Sequence, residues 1–481
     1  MSSSRRHRLV IVGVLLAVGI VATACVPRPR FEAPVGPRAE LSHSGRWFTD
    51  QYGRVVTLRG VNFVKKFPAI APADAGFGVD DARFLRDQGF NAVRLGVVFG
   101  AVMPAPGQID EAYVDSIAST VSVLASEGIF TLLDLHQDGF GPAVHGNGFP
   151  EWATITDGLP NPPDPFPTYY LTNPALQRAF DNFWANRAGP DGVALQTHYA
   201  EALRSIATAV GAEKYVLGYD LMNEPWPGTD WAPCLANGCP DLEASLTVPF
   251  AQRMTAAIRA VDREHIVFTE PFVLFNFGQT DTSLSGLGAP ESGLSYHVYA
   301  TTPALDEAVM DHAIAASARG DVLLNTEFGA TSDTATLQRL TGAFDRRLLS
   351  WMFWSYDEEL VRNLNVAPAG DNVLETTLAG IVRPNAMATN GTPATSEFDP
   401  ATGVYDYSYV TTRPDGRRAD TKYRTSFVLP HRVYPGGYTV TVDGASVRTC
   451  STTLVLRNDP NATAVHVHVT PGGPCAAPKV P

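Results

Sequence analysis

From Gly45 onward the chain alternates short apolar runs with helical stretches, and this alternation limits the possible fold more than any other feature. Strands that alternate with helices build parallel sheets, and eight such units predict a (β/α)8 barrel of the α/β class. The predicted strands are Val55–Asn62, Ala92–Leu95, Ile129–His136, Val216–Asn223, Ile266–Glu270, Leu294–Tyr299, Val322–Glu327 and Leu349–Tyr356, and the predicted helices include Tyr113–Glu127, Leu195–Val210, Val248–Val261, Ala304–Ala318 and Thr334–Arg346.

The pattern changes after Tyr356. Val373–Val382 is predicted as a last helix, and the stretch from Pro384 to Pro400 is rich in Pro, Thr, Gly and Asn, which favours a domain boundary. Beyond it, β-rich runs separated by Pro and Gly turns predict a small antiparallel β-sandwich. We therefore expect a signal peptide at 1–24, a linker at 25–44, a catalytic barrel at 45–384 and a C-terminal sandwich at 385–481.

The N-terminus has the pattern of an export signal. Three arginines precede the uncharged stretch Leu9–Ala24, and Ala22-Thr23-Ala24 fits a signal-peptidase site. Cys25 follows directly, so lipid attachment to Cys25 is an alternative to free secretion, and the sequence leaves both open. Either route predicts an extracellular, oxidising location.

The remaining four cysteines fit that compartment. Cys234 and Cys239 are near enough in sequence for a small loop bridge, and Cys450 and Cys475 could link the C-terminal region, although four cysteines allow three pairings. No C-x-x-C pair occurs, so no metal site is expected. The chain has 36 Lys and Arg against 49 Asp and Glu, a net charge of −13, which argues against a nucleic acid partner.

Polar and aromatic side chains gather where the predicted strands end. In barrel enzymes the carboxyl ends of the strands face the active site. Glu224 and Glu327 end strands four and seven. Glycoside hydrolysis needs two such carboxyl groups, one to protonate the leaving oxygen and one to attack the anomeric carbon or activate water. A single strand-end Glu would suggest a salt bridge, but the pair beside aromatic residues favours catalysis.

Several segments extend this interpretation to a family. The chain resembles the endoglycoceramidases of glycoside hydrolase family 5, which cut the bond between an oligosaccharide and ceramide. The similarity runs from about Gly45 to Pro384 and continues in the β-rich tail. The segments that carry it are Gly60–Lys66, Asp134–Asp138, Gly146–Trp152, Tyr219–Pro225, Ser295–Tyr299, Thr326–Thr331 and Ser350–Tyr356.

The resemblance implies roles for individual residues. Glu224 would be the general acid/base and Glu327 the nucleophile of a retaining mechanism, with their carboxyl groups about 5–5.5 Å apart. Arg94 and Tyr299 would hold Glu327 ionised and aimed, and His297 would support Glu224. Asn223 would bind the sugar 2-hydroxyl. Further sugar contacts would come from Lys66, His136, Asp138, Trp184 and Trp354.

The residues alone leave alternatives at some of these positions. His136 and Trp354 could be core residues, and Trp226 and Trp231 could be loop packing or a substrate wall. The loops after the strands contain many apolar residues that could form a groove for lipid chains or simply pack: Phe67–Ile70, Phe140, Phe149, Trp152, Phe166, Tyr169, Tyr170, Phe272, Phe275 and Phe277. Pro104 and Phe149 depart from the family pattern, which leaves a glucosyl or galactosyl head group open.

The expected partner is therefore a glycosphingolipid, met at a membrane or micelle surface, and no cofactor is implied. We expect a monomer. Two alternatives remain at this stage, a family 5 endoglucanase or mannanase that acts on polysaccharide, and a non-catalytic exported glycan-binding lipoprotein.

Overall fold

The computed structural model describes residues 40–67, 71–278, 281–287, 291–300, 302–357 and 359–475. The predicted signal peptide, the proposed lipid site at Cys25 and the linker up to residue 39 lie outside these residues. Among the described residues, no helix combines the length and apolar character needed to cross a membrane.

Eight parallel strands close into a barrel, as predicted. Strand β11 pairs with β10 on one side and with β4 on the other, and this second pairing completes the ring. Three short strands come first in the chain: β1 (Ser42–Ser44), β2 (Trp47–Thr49) and β3 (Val55–Val56). The barrel strands are β4 (Arg59–Phe63), β5 (Ala92–Val97), β6 (Phe130–Leu135), β7 (Val216–Asp220), β8 (Ile266–Thr269), β9 (Ser292–Val298), β10 (Val322–Phe328) and β11 (Trp351–Phe353).

Amphipathic helices connect most of the barrel strands. The predicted helices Leu195–Val210 and Thr334–Arg346 coincide with α6 and α11. The helices are α1 (Val79–Gln88), α2 (Phe99–Val102), α3 (Glu111–Ser126), α4 (Tyr169–Thr172), α5 (Pro174–Trp184), α6 (Leu195–Val210), α7 (Cys234–Asn237), α8 (Pro240–Ser245), α9 (Thr247–Arg259), α10 (Pro303–Ser317), α11 (Thr334–Arg346) and α12 (Glu375–Ile381).

The barrel interior is apolar at the amino ends of its strands and polar at their carboxyl ends. Near the amino ends, Phe130, Leu132, Phe268 and Leu324 belong to one buried cluster. The β1–β2 hairpin adds Phe48 to this cluster, with its ring 6.3 Å from that of Phe268. The hairpin therefore covers the lower end of the barrel and leaves the carboxyl ends, here called the upper end, for the site.

The C-terminal region consists of antiparallel strands in two sheets, as predicted. Its strands are β12 (Asn385–Thr389), β13 (Thr392–Asp399), β14 (Val404–Val410), β15 (Thr425–Val428), β16 (Tyr438–Asp443), β17 (Ala445–Cys450), β18 (Thr453–Asn458) and β19 (Ala464–Pro471). One sheet has the order β13-β14-β19-β16, and the other β1-β2-β3-β12-β15-β18-β17. Alternate residues of β14 and β19, such as Tyr405, Tyr409, Val465 and Val469, form the core between the sheets.

Two strand predictions differ from the structure. The run Val55–Asn62 is two strands, because Val55 and Val56 pair with β12 while the barrel strand begins at Arg59. The stretch from Pro384 to Pro400, interpreted as a boundary, contains β12 and β13. Strand β13 is largely exposed and β12 is only five residues long, so neither shows the apolar alternation that identifies a strand. The N-terminal strands thus join the C-terminal sheet to the base of the barrel.

The structure contains both disulfides that the spacing suggested. Cys234 bonds to Cys239 in the long loop after β7, and Cys450 bonds to Cys475 at the end of the C-terminal region. Of the three pairings that four cysteines allow, this one links residues that are near in sequence in both cases.

Candidate active site

Polar side chains from all eight barrel strands meet at the upper end. Most stand at or just beyond the carboxyl end of their strand, where the backbone turns into a loop, and Arg94 extends to the site from within β5. In strand order, these residues are Asn62, Arg94, His136 with Asp138, Asn223 with Glu224, Glu270, His297, Glu327 and Trp354, all but Trp354 buried.

Glu224 has an unusual backbone conformation. Its φ of 43° lies in the left-handed region, which is strained for a residue with a side chain. Two kinds of hydrogen bond hold it there. Gln137 Nε2 donates to the carbonyl oxygens of Asn223 and Glu224 at 2.7 and 2.9 Å, and the Glu224 amide donates to Glu270 Oε2 at 3.0 Å. These hydrogen bonds therefore fix the main chain that carries the Glu224 side chain.

The Glu224 carboxyl group favours its protonated form. Burial is the largest cause that raises the pKa of Glu224 to about 7, and the negative charge of Asp138 adds to the rise, whereas Lys66 opposes it. His297 Nδ1 lies 2.8 Å from Glu224 Oε1. Burial lowers the pKa of His297 to about 3, so this imidazole is neutral. A neutral partner and a high pKa suit a group that donates a proton near neutral pH.

Glu327 has the opposite surroundings. Arg94 Nη1 donates to Glu327 Oε1 at 2.6 Å, and the Tyr299 hydroxyl donates to Oε2 at 3.1 Å. Both partners are donors, which favours an ionised carboxylate as the acceptor. A break in the β9–β10 register between Asn325 and Glu327 turns this side chain toward the centre of the barrel mouth.

The two carboxyl groups both lie close to Nδ1 of His297. Its Nδ1 is 2.8 Å from Glu224 Oε1 and 3.6 Å from Glu327 Oε2. The two oxygens can therefore be no further apart than the sum of these distances, about 6.4 Å, a limit that accommodates the separation of about 5–5.5 Å in retaining glycosidases.

Arg94 is the centre of a buried ion network. It is fully buried, and its guanidinium group contacts Asp134, Asp220 and Glu327 at 2.9, 3.0 and 2.6 Å. It also donates to Asn223 Oδ1 at 2.9 Å. These anions raise the pKa of Arg94 despite the opposing effect of burial, so the cation is fixed. The network ties the nucleophile candidate Glu327 to the strand that carries Glu224.

A second cluster lies on the side of Trp354. Asp138 Oδ2 is 2.6 Å from Lys66 Nζ, 3.3 Å from His136 Nε2 and 3.0 Å from Asn147 Nδ2. Burial opposes ionisation of Asp138, but Lys66 and His136 hold its pKa well below the usual range. Lys66 Nζ also lies 4.2 Å above the Trp354 ring, and the His136 ring stacks on it at 5.5 Å.

Trp184, a predicted sugar contact, is largely buried. It ends α5, is 7% exposed and packs against Phe183, Phe250 and Phe272. Its indole N–H donates to the carbonyl oxygen of Trp226 at 2.8 Å. This ring therefore packs beneath the loop after Glu224, and the sugar contact suggested for it stays a prediction.

The predicted apolar groove divides into two sets. Phe140 and Phe149 stack on each other at 4.0 Å in the core, and Phe272 and Phe275 are also buried. Phe149 therefore forms no part of a head-group pocket, and Pro104 lies exposed on a separate loop. By contrast, large apolar side chains that follow different barrel strands are exposed to solvent: Phe67, Phe166, Leu171, Leu235, Phe277 and Val366.

Sequence reasoning missed several buried polar partners. Asp134 and Asp220 lie within apolar strands, where a charge signals a fixed counter-charge, and both pair with Arg94. Glu270 ends strand five and the strand-end rule could have found it. Among the described residues, Glu224, Glu270 and His297 have potential cation-ligand atoms within 4.8 Å of one another. Two of these groups, Glu224 and His297, already share a hydrogen bond.

The barrel holds two buried carboxyl groups in one site. Burial raises the pKa of Glu224 to about 7, and Arg94 and Tyr299 hold Glu327. Together these features define a glycoside hydrolase. Residues 50–359 match the family described as Cellulase (glycosyl hydrolase family 5), and residues 383–470 match the Glycoside hydrolase family 5 C-terminal domain. The chain belongs to glycoside hydrolase family 5.

Among its relatives, the chain is 34% identical over 438 residues to Endoglycoceramidase I of Rhodococcus hoagii, covering 86% of this chain and 84% of that protein. Two solved structures of Endo-glycoceramidase II from Rhodococcus sp. are also similar. The lactosyl-enzyme intermediate has a TM-score of 0.72 at 28% identity, covering 88% of this chain and 99% of the other. The ganglioside GM3 complex has a TM-score of 0.70 at 27% identity, with 89% and 99% covered.

Proposed function

We propose that this protein is a retaining endoglycoceramidase that hydrolyses the β-glycosidic bond between oligosaccharide and ceramide. The observation that carries the proposal is the pair Glu224 and Glu327, which share His297 as a neighbour, with the pKa of Glu224 raised by burial and Glu327 held by Arg94 and Tyr299. The similarity to Endoglycoceramidase I over most of both chains supports the substrate class. A lactosyl-enzyme intermediate of a solved relative supports a covalent pathway.

In the first step, Glu327 attacks the anomeric carbon of the sugar next to ceramide. The bond from that carbon to the ceramide oxygen breaks, and Glu224 gives its proton to the leaving oxygen. Ceramide leaves as an alcohol, and the oligosaccharide remains attached to Glu327 as an ester. The Tyr299 hydroxyl and Arg94 keep the attacking carboxylate oriented.

In the second step, the ionised Glu224 removes a proton from water, which attacks the same carbon from the face that ceramide has left. The ester bond to Glu327 breaks, and Glu224 is protonated again. A pKa near 7 suits both halves of this cycle, because the group must release and recover one proton at each turnover.

The remaining site residues bind and orient the sugar. The Asn223 amide nitrogen donates one hydrogen to the Gln137 carbonyl oxygen, and its second hydrogen can reach the 2-hydroxyl. Lys66, Asp138 and His136 offer charged and neutral partners for further hydroxyls, while half-buried Trp354 offers a ring face. Trp184 acts indirectly, by holding the Trp226 carbonyl in the loop that carries Glu224.

The exposed apolar residues at the upper end form the surface that contacts the lipid part of the substrate. Phe67 follows β4, Phe166 lies in the loop after β6, and Phe277 follows β8, so they surround the site on three sides. Exposed aromatic side chains in this arrangement suit contact with a membrane or micelle in which the ceramide is held. The enzyme therefore meets its substrate at an interface.

The same proposal covers location and domain limits. Two disulfides fit an oxidising compartment, in keeping with cleavage after Ala24 or lipid attachment to Cys25. The catalytic domain runs over 45–384 and the C-terminal domain over 385–481.

The test is oligosaccharide release from GM3 ganglioside or lactosylceramide, run beside carboxymethylcellulose and mannan. Release from the lipids with a free reducing end is the expected result. Turnover of the polymers alone would establish the polysaccharide alternative. The polymers are included because the matching family is described as Cellulase. Glu327→Gln is the control, since any release that survives in this variant comes from a contaminant or from another nucleophile.

A further inference from the structure

Glu270 is a buried carboxyl group to which the reaction above assigns no part. It follows β8 and is 3% exposed. Its neighbours nevertheless belong to the acid/base. Glu270 Oε2 accepts the backbone N–H of Glu224 at 3.0 Å, and Oε1 lies 3.6 Å from His297 Nε2. His297 Nε2 has no hydrogen-bond partner within the described parts of the chain.

Asn276 fixes the position of Glu270. Its side-chain nitrogen donates to Glu270 Oε1 at 3.2 Å, and its side-chain oxygen accepts the backbone N–H of His297 at 3.0 Å. Asn276 thus joins the Glu270 carboxyl group to the strand that carries the imidazole. A shift of either group would move both hydrogen bonds.

The charges around Glu270 favour its neutral form. Burial raises its pKa well above the ordinary range, and Asp220 on β7 and Glu224 add to the shift. Arg94 on β5 opposes it but is already paired with Asp134, Asp220 and Glu327. The remaining titratable neighbour, His297 on β9, is uncharged because burial lowers its pKa to about 3. A carboxylic acid in these surroundings has an O–H to donate.

We propose that Glu270 is a positioning residue whose carboxylic O–H points to His297 Nε2 and so fixes the imidazole in the tautomer with its hydrogen on Nδ1. This inference rests on the function proposed above. With Nδ1 protonated, His297 donates to Glu224 Oε1 at 2.8 Å whether Glu224 is ionised or not. The catalytic proton is then confined to Glu224 Oε2, and the ring need not change tautomer during the cycle.

The geometry also gives Glu270 a second task. Glu224 holds a left-handed backbone conformation, and Glu270 Oε2 is the acceptor of its amide hydrogen. One carboxyl group therefore fixes both the main chain of the acid/base and the ring beside its side chain. A structural role alone would require the first contact but not a particular tautomer of His297.

The direct test is ¹⁵N NMR of the full chain labelled at histidine, with the His297 signals assigned by their loss in His297→Gln. The inference predicts a protonated Nδ1 and an unprotonated Nε2 between about pH 5 and pH 8. The opposite tautomer would overturn it. This readout needs no substrate, so it stands or falls separately from the proposed activity.

Two variants separate donation from packing. Gln in Glu270→Gln can still donate to His297 Nε2, although its amide nitrogen cannot accept from Asn276. We therefore expect the same tautomer, the same shape of the pH–rate profile and kcat within about tenfold of wild type. Glu270→Met keeps the bulk but has no donor. It should populate both tautomers and reduce kcat by about 100-fold, as loss of general acid–base assistance does.

The matched control is Glu243→Gln, another buried carboxyl group, which accepts from Phe272, Thr282 and Ser283 away from the catalytic pair. It should change the unfolding temperature and leave the tautomer and the pH profile as they are. Equal losses of kcat in Glu270→Gln and Glu270→Met, or a wild-type profile in Glu270→Met, would contradict the inference. Should Glu270→Met fail to fold, the tautomers of wild type and Glu270→Gln still decide the question.

Discussion

Replacing Glu224 by Gln should abolish the acid/base and, above about pH 7, make the protein more stable than wild type. The pKa of Glu224 is about 7 in the folded protein, against an ordinary value of 4.5. The folded state therefore holds a proton that the unfolded state has released. By linkage, the stability that this proton contributes is complete below pH 4.5 and is lost as the pH rises through 7.

The size of the effect follows from that shift. A rise of the pKa from 4.5 to about 7 corresponds to roughly 3 kcal/mol. Glu224→Gln carries a neutral side chain of the same shape at every pH. The two proteins should be equally stable near pH 4.5, and the variant should gain about 1.4 kcal/mol per pH unit up to a plateau near pH 7.

The assay is urea unfolding of both proteins at a series of pH values, followed by tryptophan fluorescence. Asp220 occurs in both proteins and cancels in the difference, whereas Glu270 loses the neighbouring charge of Glu224 in the variant, so the difference reports Glu224 together with this coupling. Glu264→Gln, at an exposed glutamate, is the control and should give a difference that does not vary with pH. A flat difference for Glu224→Gln would refute the claim that burial raises the proton affinity of the acid/base.

Three further predictions concern activity and the ion network. Glu327→Gln should reduce kcat on lactosylceramide by at least about 10³-fold and still bind the lipid, measured by calorimetry with detergent-dispersed substrate. The alkaline limb of the pH profile of kcat/KM should lie near pH 7. It should move to lower pH in Asp138→Asn, because the charge of Asp138 raises the pKa of Glu224, and to higher pH in Lys66→Met, because the charge of Lys66 lowers that pKa. Arg94→Met should lower the free energy of unfolding by about 3–5 kcal/mol, since it leaves buried anions unpaired, and a denaturant midpoint equal to wild type would contradict this.

The sequence predicted the barrel because its signals are local. Apolar runs of four to eight residues occur eight times with amphipathic helical patterns between several of them, and helices such as Leu195–Val210 were predicted to the residue. Strand-end position then selected Glu224, Glu327, Arg94 and His297 without any knowledge of distances. The geometry of these four residues follows directly from strand order around a closed barrel.

What the sequence did not reveal depends on contacts between distant segments. Val55 and Val56 read as the start of a barrel strand, and only pairing with Ala388 and Thr389 assigns them to the C-terminal sheet. Trp184 was suggested as a sugar contact by the family resemblance of its segment, whereas its burial at the end of α5 depends on the aromatic residues that pack against it. The role of Glu270 depends on a neighbouring imidazole that lies 27 positions further along the chain.

A covalent intermediate at Glu327 is the most direct test of the whole account. Wild-type protein is incubated with a 2-deoxy-2-fluoro lactoside that carries a reactive leaving group, then digested and mapped by mass spectrometry. The account predicts one fluorolactosyl ester, on the peptide that contains Thr326–Glu327–Phe328, and no such ester in Glu327→Gln. An ester on any other residue, or release of sugar with inverted anomeric configuration, would contradict it.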